Sequence, residues 1–187
     1  ASMASPAERN RATIGGNICN SSPAGDTLPV LYALNAVLHL TCSDHCRDVK
    51  IQEFITGPGK NIRKKDEILE YIKIPDFGFD MEYIRKVGTR NSKGLSKLSF
   101  AGLAIIHGGR ISDIRLAFGA VGPTVIRDVN IEKSIIEMGH VYDTKKVLNM
   151  YRSILKPIDD QRSVASYREE VSIRLAGDFL KQISDKI

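Results

Sequence analysis

The chain has 187 residues, of which 42% are hydrophobic and 26% charged, a composition typical of a protein that folds around a buried core. This balance excludes an intrinsically disordered chain, a collagen-like repeat and an acidic low-complexity tail. The 27 basic and 22 acidic residues give a net charge of +5, which permits nucleic-acid binding without indicating it.

The cysteine count and the apolar stretches bear on where the protein resides. Three cysteines, an odd number, favour reduced thiols in the cytoplasm over a disulfide framework. Residues 1–10 lack the charged leader and apolar core of a signal peptide. No apolar stretch reaches the roughly 20 residues that a membrane-spanning helix needs. We therefore expect a cytoplasmic protein without a membrane span.

Residues 11–26 form a polar segment rich in small, turn-forming side chains, with little that fills a core. Within it, Gly15 and Gly16 let backbone N–H groups turn toward a ligand and leave room for a pyrophosphate to approach. Thr13 and Asn17 flank this pair with side-chain donors. The pattern predicts a loop that binds an anion or a dinucleotide, and a tight turn without a ligand is the alternative for any Gly-Gly pair.

Asn20 and Asp26 extend the polar segment to the start of the next predicted helix. Asp26 is placed either to cap that helix or to accept a hydroxyl from a ribose or ribityl chain. The segment has neither the Gly-x-Gly-x-x-Gly of a Rossmann loop nor the Gly-Lys-Ser/Thr of a P-loop. The two commonest nucleotide-binding loops are therefore disfavoured.

Hydrophobic spacing predicts the elements that follow the polar segment. A short helix is expected over 27–34, with Asp26 or Thr27 as its N-cap. It is followed by a strand at 36–40, a polar turn at 42–47, a partly alternating strand at 49–55 and an edge strand at 67–75 that Pro75 ends. Together these elements predict a small α+β unit.

Turn residues at 75–79 mark the best candidate boundary, because the hydrophobic patterning differs on its two sides. We expect two domains, residues 1–77 and residues 78–187. In the second, strands are predicted at 81–87, 98–107 and 111–118, with a hairpin turn at Gly108-Gly109, and helices at 131–138, 144–154 and 166–183. The expected arrangement is an antiparallel meander followed by helices.

Two clusters of reactive side chains have both a functional and a structural interpretation. Cys42, His45 and Cys46 suggest a metal site, but a closed zinc site needs four ligands, so a polar surface turn is favoured. Asp159 and Asp160 stand among arginines ahead of a helix, which favours a capping and ion-pair network over a catalytic carboxylate pair. We expect neither a metal site nor catalytic residues on this chain.

The polar segment also carries a resemblance to a known family. Residues 12–29, ATIGGNICNSSPAGDTLP, resemble the second FAD-binding signature of the flavoprotein (medium) subunit of molybdenum hydroxylases, the family of xanthine dehydrogenase and carbon monoxide dehydrogenase. Four later segments resemble further signatures of this family: residues 65–75, 83–90, 114–124 and 157–168. The resemblance covers essentially the whole chain.

The resemblance implies a fold and a place within the subunit. The fold class is α+β: the second lobe of a PCMH-type (vanillyl-alcohol-oxidase-like) FAD-binding domain, followed by a C-terminal domain of antiparallel three-stranded sheet plus helices. Nothing that resembles the family's earlier glycine-rich flavin motif precedes Thr13. We therefore expect the C-terminal portion of such a subunit, lacking the first flavin-binding lobe.

The resemblance also implies which residues contact FAD. Thr13, Gly15, Gly16 and Asn17 would hold the diphosphate and the neighbouring sugar, and this agrees with the chemistry of these residues. Asn20 and Asp26 would add polar contacts.

Three further positions match cofactor contacts of the family on later elements. Ile68 and Leu69, in the predicted edge strand, match positions that contact the cofactor, and ordinary strand packing is the alternative; either role leaves them buried. Lys86, or its neighbour Arg85, matches a basic position near the flavin. A solvated surface lysine is the alternative there.

The function implied is electron transfer through FAD, from iron-sulfur clusters to NAD or another acceptor. The implied partners are a molybdopterin-binding large subunit, an iron-sulfur small subunit and the missing N-terminal flavin lobe. A non-catalytic scaffold that no longer binds flavin is one alternative. A nucleic-acid binder is another, although the basic cluster Lys60, Arg63, Lys64 and Lys65 lacks the interleaved aromatic residues of such proteins.

Overall fold

The computed structural model of the protein describes residues 4–89, 94–139 and 143–187, so Arg90, the last residue of the 83–90 signature, lies outside the described residues. The described residues form helices together with two three-stranded antiparallel sheets and one two-stranded sheet. The expected α+β class is therefore confirmed.

The first half of the chain builds an antiparallel sheet in the order β2-β1-β5, called here the N-terminal sheet. Its elements, and those around it, are α1 Pro6–Arg9, α2 Ile14–Asn20, α3 Leu28–Ala33, β1 Val37–Thr41, β2 Cys46–Lys50, α4 Ile51–Phe54, β3 Ile55–Gly57, β4 Lys60–Asn61 and β5 Ile68–Lys73. The strand β5 lies at the edge of this sheet, as its sequence predicts.

The region predicted as a polar turn at 42–47 and a strand at 49–55 has a different structure. The strand β2 already begins at Cys46, and the short helix α4 separates it from β3. Ile51 and Phe54 explain the difference, since both are fully buried. Residues three apart share one face of a helix but lie on opposite faces of a strand.

The second half of the chain builds an antiparallel meander in the order β6-β7-β8. Its elements are β6 Met81–Gly88, β7 Ser96–His107, β8 Arg110–Gly119, α5 Val129–Met138, α6 Thr144–Ile154 and α7 Ala165–Ser184. The predicted turn at Gly108 and Gly109 joins β7 to β8, and both residues have positive φ, 57° and 70°. These are conformations that glycine adopts without steric cost.

Both faces of the meander are covered by other elements. On one face Phe100 and Phe118 pack with Phe179 of α7 and Tyr151 of α6. On the other face Ala101, Leu103 and Ala117 belong to the same buried cluster as α3 and the N-terminal sheet. The small side chains of Ala101 and Ala117 let helix α3 approach closely, so the two halves of the chain pack against each other in this cluster.

Arg115 contacts the segment that joins the N-terminal sheet to the meander. Its guanidinium carbon lies 3.8 Å from the ring centroid of Phe77 and 5.0 Å from that of Phe79. The same group donates to Asp113 and to the carbonyl oxygen of Ala33. A cation–π interaction contributes more to stability when the cation is buried than when it is in water. Arg115 therefore holds this segment against the meander.

The packing of α7 on the meander can be tested at Gly102. A Cβ atom at this position would lie 2.6 Å from Cδ1 of the fully buried Phe179. We expect Gly102→Ala to lower the free energy of unfolding by about 1–3 kcal/mol, since the ring has no space to move into. Guanidinium denaturation measures this effect.

Gly57→Ala is the matched control, because a Cβ at Gly57 has no neighbour within 4 Å. Its unfolding midpoint should stay close to that of the unmodified protein. Equal effects of the two substitutions would show that Phe179 does not pack on Gly102 as described.

Candidate functional site

A cavity of about 420 Å³ lies between the polar segment and the end of the meander that carries Lys86. Five of the predicted site residues line it together: Thr13, Asn17, Asn20, Asp26 and Lys86. Lys86 belongs to β6, so both halves of the chain contribute to the cavity. Convergent polar side chains in a cavity of this size are typical of a ligand site.

The glycine pair has a different backbone from the predicted loop, because Gly15 and Gly16 lie inside helix α2. Thr13 is the N-cap of this helix, and its hydroxyl accepts a hydrogen bond of 2.9 Å from the amide of Gly16. Two glycines disfavour a helix by about 1 kcal/mol each. The Thr13 cap and the fully buried Ile18 offset this cost.

The two glycines of α2 differ in what a Cβ atom would meet. A Cβ at Gly16 would lie 3.0 Å from the hydroxyl oxygen of Thr13, and so would crowd the helix cap. A Cβ at Gly15 would lie 3.7 Å from Cδ2 of Leu69, which is ordinary contact. Gly15 therefore marks where α2 packs on β5, and neither glycine is among the residues that line the cavity.

Asn17 is oriented by Thr27. The Thr27 hydroxyl donates a hydrogen bond of 2.6 Å to Oδ1 of Asn17. Since that oxygen is engaged, the Nδ2 group of Asn17 supplies the donors of this side chain at the cavity. Thr27 is also the N-cap residue of α3, but its side chain makes no cap hydrogen bond.

Asp26 is not a helix cap, which corrects one of the two roles predicted for it. One carboxylate oxygen accepts a hydrogen bond of 2.6 Å from Nζ of Lys86, and the other accepts one from the hydroxyl of Ser96. The side chains of Asp26 and Lys86 are only 17% and 13% exposed. The alternative of a solvated surface lysine at position 86 is therefore wrong.

Ser96 is a site residue that the sequence analysis missed. It is 1% exposed, lies at the start of β7 and lines the same cavity. It stands 70 positions from the aspartate that it contacts, and no local motif signals such a pairing. The antiparallel pairing of β6 with β7 places Ser96 opposite Gly88, two positions along β6 from Lys86.

Ile68 and Leu69 lie on β5 rather than in the cavity wall. Ile68 is 62% exposed, so the expectation that both would be buried is wrong. On an edge strand successive side chains point to opposite faces. Ile68 pairs with Thr41 on the outer face of the sheet, while Leu69 packs against the buried cluster.

The other candidate clusters have structural partners. Asp160 pairs with Arg162 and Arg168, and Asp159 accepts from the amide of Ala165 at the start of α7, which is the expected capping network. Among the described residues no three His, Cys, Asp or Glu side chains are grouped to bind a metal ion. In the same residues no helix is long and apolar enough to cross a membrane.

Comparison with known families identifies the two parts of the chain. Residues 1–77 match the FAD binding domain in molybdopterin dehydrogenase, and residues 84–183 match the CO dehydrogenase flavoprotein C-terminal domain. The chain belongs to this flavoprotein family. The resemblance found in the sequence is therefore confirmed.

Two curated relatives illustrate the extent of the match. The glyceraldehyde dehydrogenase medium chain of Sulfolobus acidocaldarius is 34% identical over 178 residues, which cover 94% of this chain and 63% of that protein. The xanthine dehydrogenase FAD-binding subunit of Escherichia coli O157:H7 is 34% identical over 137 residues, 71% of this chain and 46% of that subunit. The chain spans about half to two thirds of the length of these relatives.

Solved structures share the fold. Carbon monoxide dehydrogenase from Hydrogenophaga pseudoflava superposes with a TM-score of 0.86 at 24% identity, covering 96% of this chain and 63% of that one. Quinoline 2-oxidoreductase from Pseudomonas putida 86 gives a TM-score of 0.87 at 20% identity, covering 100% of this chain and 65% of that one. At these identities the likeness establishes the architecture, including the antiparallel three-stranded sheets with helices.

The ion pair at the cavity can be tested by Lys86→Met. This change leaves the partly buried Asp26 carboxylate without its cation, and we expect the free energy of unfolding to fall by about 2 kcal/mol or more. Chemical denaturation monitored by circular dichroism measures the change.

Lys73→Met is the matched control, because Lys73 also lies 2.6 Å from a carboxylate, that of Asp48, but with both side chains about half exposed. An exposed pair contributes less than about 1 kcal/mol. If both variants lose the same stability, the burial of the Asp26 pair is not what distinguishes it.

Proposed function

We propose that this chain is the FAD-binding part of a flavoprotein subunit of a molybdenum hydroxylase, and that the cavity holds the FAD diphosphate and the adjoining sugar. The observation that carries the proposal is the convergence of Thr13, Asn17, Asp26 and Lys86 on one cavity. These residues come from two segments of the chain that are about 60 positions apart. The family match supports the same cofactor.

The cavity suits a diphosphate chemically. Thr13 and Asn17 supply neutral donors, and Lys86 supplies a cation close to them. The carboxylate of Asp26 would repel an anion if its charge were unbalanced. The ammonium of Lys86 balances that charge, the hydroxyl of Ser96 donates to the other oxygen, and the remaining acceptor capacity of Asp26 fits a sugar hydroxyl.

Apolar side chains complete the fit. Ile14 and Leu95 are 52% and 67% exposed, and both line the cavity. Such exposed apolar groups suit the non-polar faces of a sugar or a ring. A volume of about 420 Å³ accommodates part of a dinucleotide, so the proposal assigns the diphosphate region, and not the whole cofactor, to these residues.

Bound FAD would supply the redox chemistry, carrying electrons between an iron-sulfur partner and NAD or another acceptor. The residues of this chain would bind and orient the cofactor and balance its charge. The proposed partners are a molybdopterin-binding large subunit and an iron-sulfur small subunit. The names of relatives such as the glyceraldehyde dehydrogenase medium chain support a multisubunit enzyme.

Two further parts of the proposal concern organisation and location. Residues 1–77 and 78–187 are proposed as separate domains, supported by their separate three-stranded sheets. A reducing, cytoplasmic location is proposed because all three cysteines are free thiols.

The proposal predicts which side chains retain flavin. Asn17→Ala removes the amide donor, and we expect the FAD dissociation constant to rise roughly tenfold or more, as for a hydrogen bond to a charged group. Thr27→Val keeps Asn17 but removes the hydroxyl that orients its side chain, so we expect a smaller rise in the dissociation constant. Thr27→Ser keeps a hydroxyl at this position and should restore binding. FAD titration followed by quenching of flavin fluorescence measures each constant.

Asn130→Ala provides the control, since Asn130 is exposed on α5, away from the cavity. Its affinity for FAD should equal that of the unmodified protein. An unchanged affinity in Asn17→Ala would contradict the assigned site. If the unmodified protein does not quench flavin fluorescence at any concentration, the alternative of a scaffold without flavin is favoured.

A further inference from the structure

The hairpin between β1 and β2 places a thiol beside an imidazole, away from the proposed flavin cavity. The amide of Cys42 donates to the carbonyl oxygen of His45, which closes the turn. The Sγ atom of Cys42 lies 3.0 Å from Nδ1 of His45. The Nε2 atom of the same ring lies 3.8 Å from Oε1 of Glu67.

Glu67 provides a fixed negative charge on the far side of the imidazole. Its side chain is 1% exposed and accepts hydrogen bonds from Arg47, at 2.7 and 3.0 Å, and from the amide of Lys64. The hydrogen bonds from Arg47 are the main reason why its pKa is lowered to about 2. Glu67 is therefore ionised at neutral pH, and its carboxylate stands beside Nε2 of His45.

The three groups have the order of an activated nucleophile: a thiol, a base within hydrogen-bond reach and a carboxylate beyond the base. The cluster is also open to reagents, since Cys42 is half-buried and the His45 side chain is 44% exposed. The proposed flavin site uses none of these residues.

The other two cysteines lack this arrangement. Cys46 is exposed, but in the described part of the chain no side chain makes a hydrogen bond or ion pair with its sulfur. Cys19 is half-buried on α2, and burial raises its pKa. Since the thiolate is the reactive form, the raised pKa disfavours reaction at Cys19, and exposure alone would favour Cys46.

We propose that Cys42 is a covalent modification site, at which the thiol exchanges with a low-molecular-weight disulfide. His45 accepts the thiol proton, and Sγ attacks one sulfur of the disulfide. A new S–S bond forms, the S–S bond of the reagent breaks, and its electron pair leaves on the departing thiolate. That thiolate then takes up a proton, so the exchange needs no other oxidant.

The test uses glutathione disulfide with the full chain. After acid quenching, peptide mapping by mass spectrometry gives the initial rate of mixed-disulfide formation at each cysteine. We expect Cys42 to react fastest, and His45→Asn to slow it by about tenfold or more, as for loss of a general base. The rate at Cys46 in the same molecules should not change, which reports that the hairpin remains folded.

Asp44→Asn is the matched control, because Asp44 is an exposed residue of the same turn. It should leave the rate at Cys42 unaltered. Equal rates at Cys42 and Cys46 in the unmodified protein, or a His45→Asn variant in which Cys42 reacts as before, would overturn the proposal. Neither result depends on whether the protein binds FAD.

Discussion

The hydrogen-bonded ion pair between Asp26 and Lys86 is the interaction on which the candidate site depends. It joins the polar segment ahead of α3 to the first strand of the meander, and Ser96 of the next strand occupies the other oxygen of the same carboxylate. An unpaired carboxylate at this partly buried position would be costly. The pairing also offsets the negative charge of Asp26, which would otherwise repel a phosphate.

Because this pair crosses between the two halves of the chain, the proposed cofactor site depends on how the halves pack. Helix α3 begins directly after Asp26 and Thr27, and it packs against β7 and β8. The small residues of the meander that receive it, such as Ala101 and Ala117, are fully buried. Any shift of the helix on this surface would move Asp26 relative to Lys86, so the proposed diphosphate site is formed only when the halves are correctly packed.

Local patterns in the sequence predicted most of the regular elements. The helix predicted at 144–154 coincides with α6, and the three strands of the meander, with their Gly108-Gly109 turn, were predicted from apolar segments and turn residues. The failures occurred where helix capping or contacts between distant residues decide the structure. A Gly-Gly pair disfavours a helix until Thr13 caps it and Ile18 is buried, and the partners of Asp26 lie 60 and 70 positions away. Ile68 is exposed because it points to the outer face of the N-terminal sheet, which its own apolar side chain does not reveal.

The most direct test of the central claim is a double-mutant cycle for FAD binding with Asp26→Asn, Lys86→Met and the double variant. If the pair acts as a unit, each single change raises the dissociation constant, and the double change raises it by clearly less than the product of the two single effects. Fully multiplicative effects, or an affinity that none of the three variants alters, would contradict the claim that this ion pair organises the flavin site.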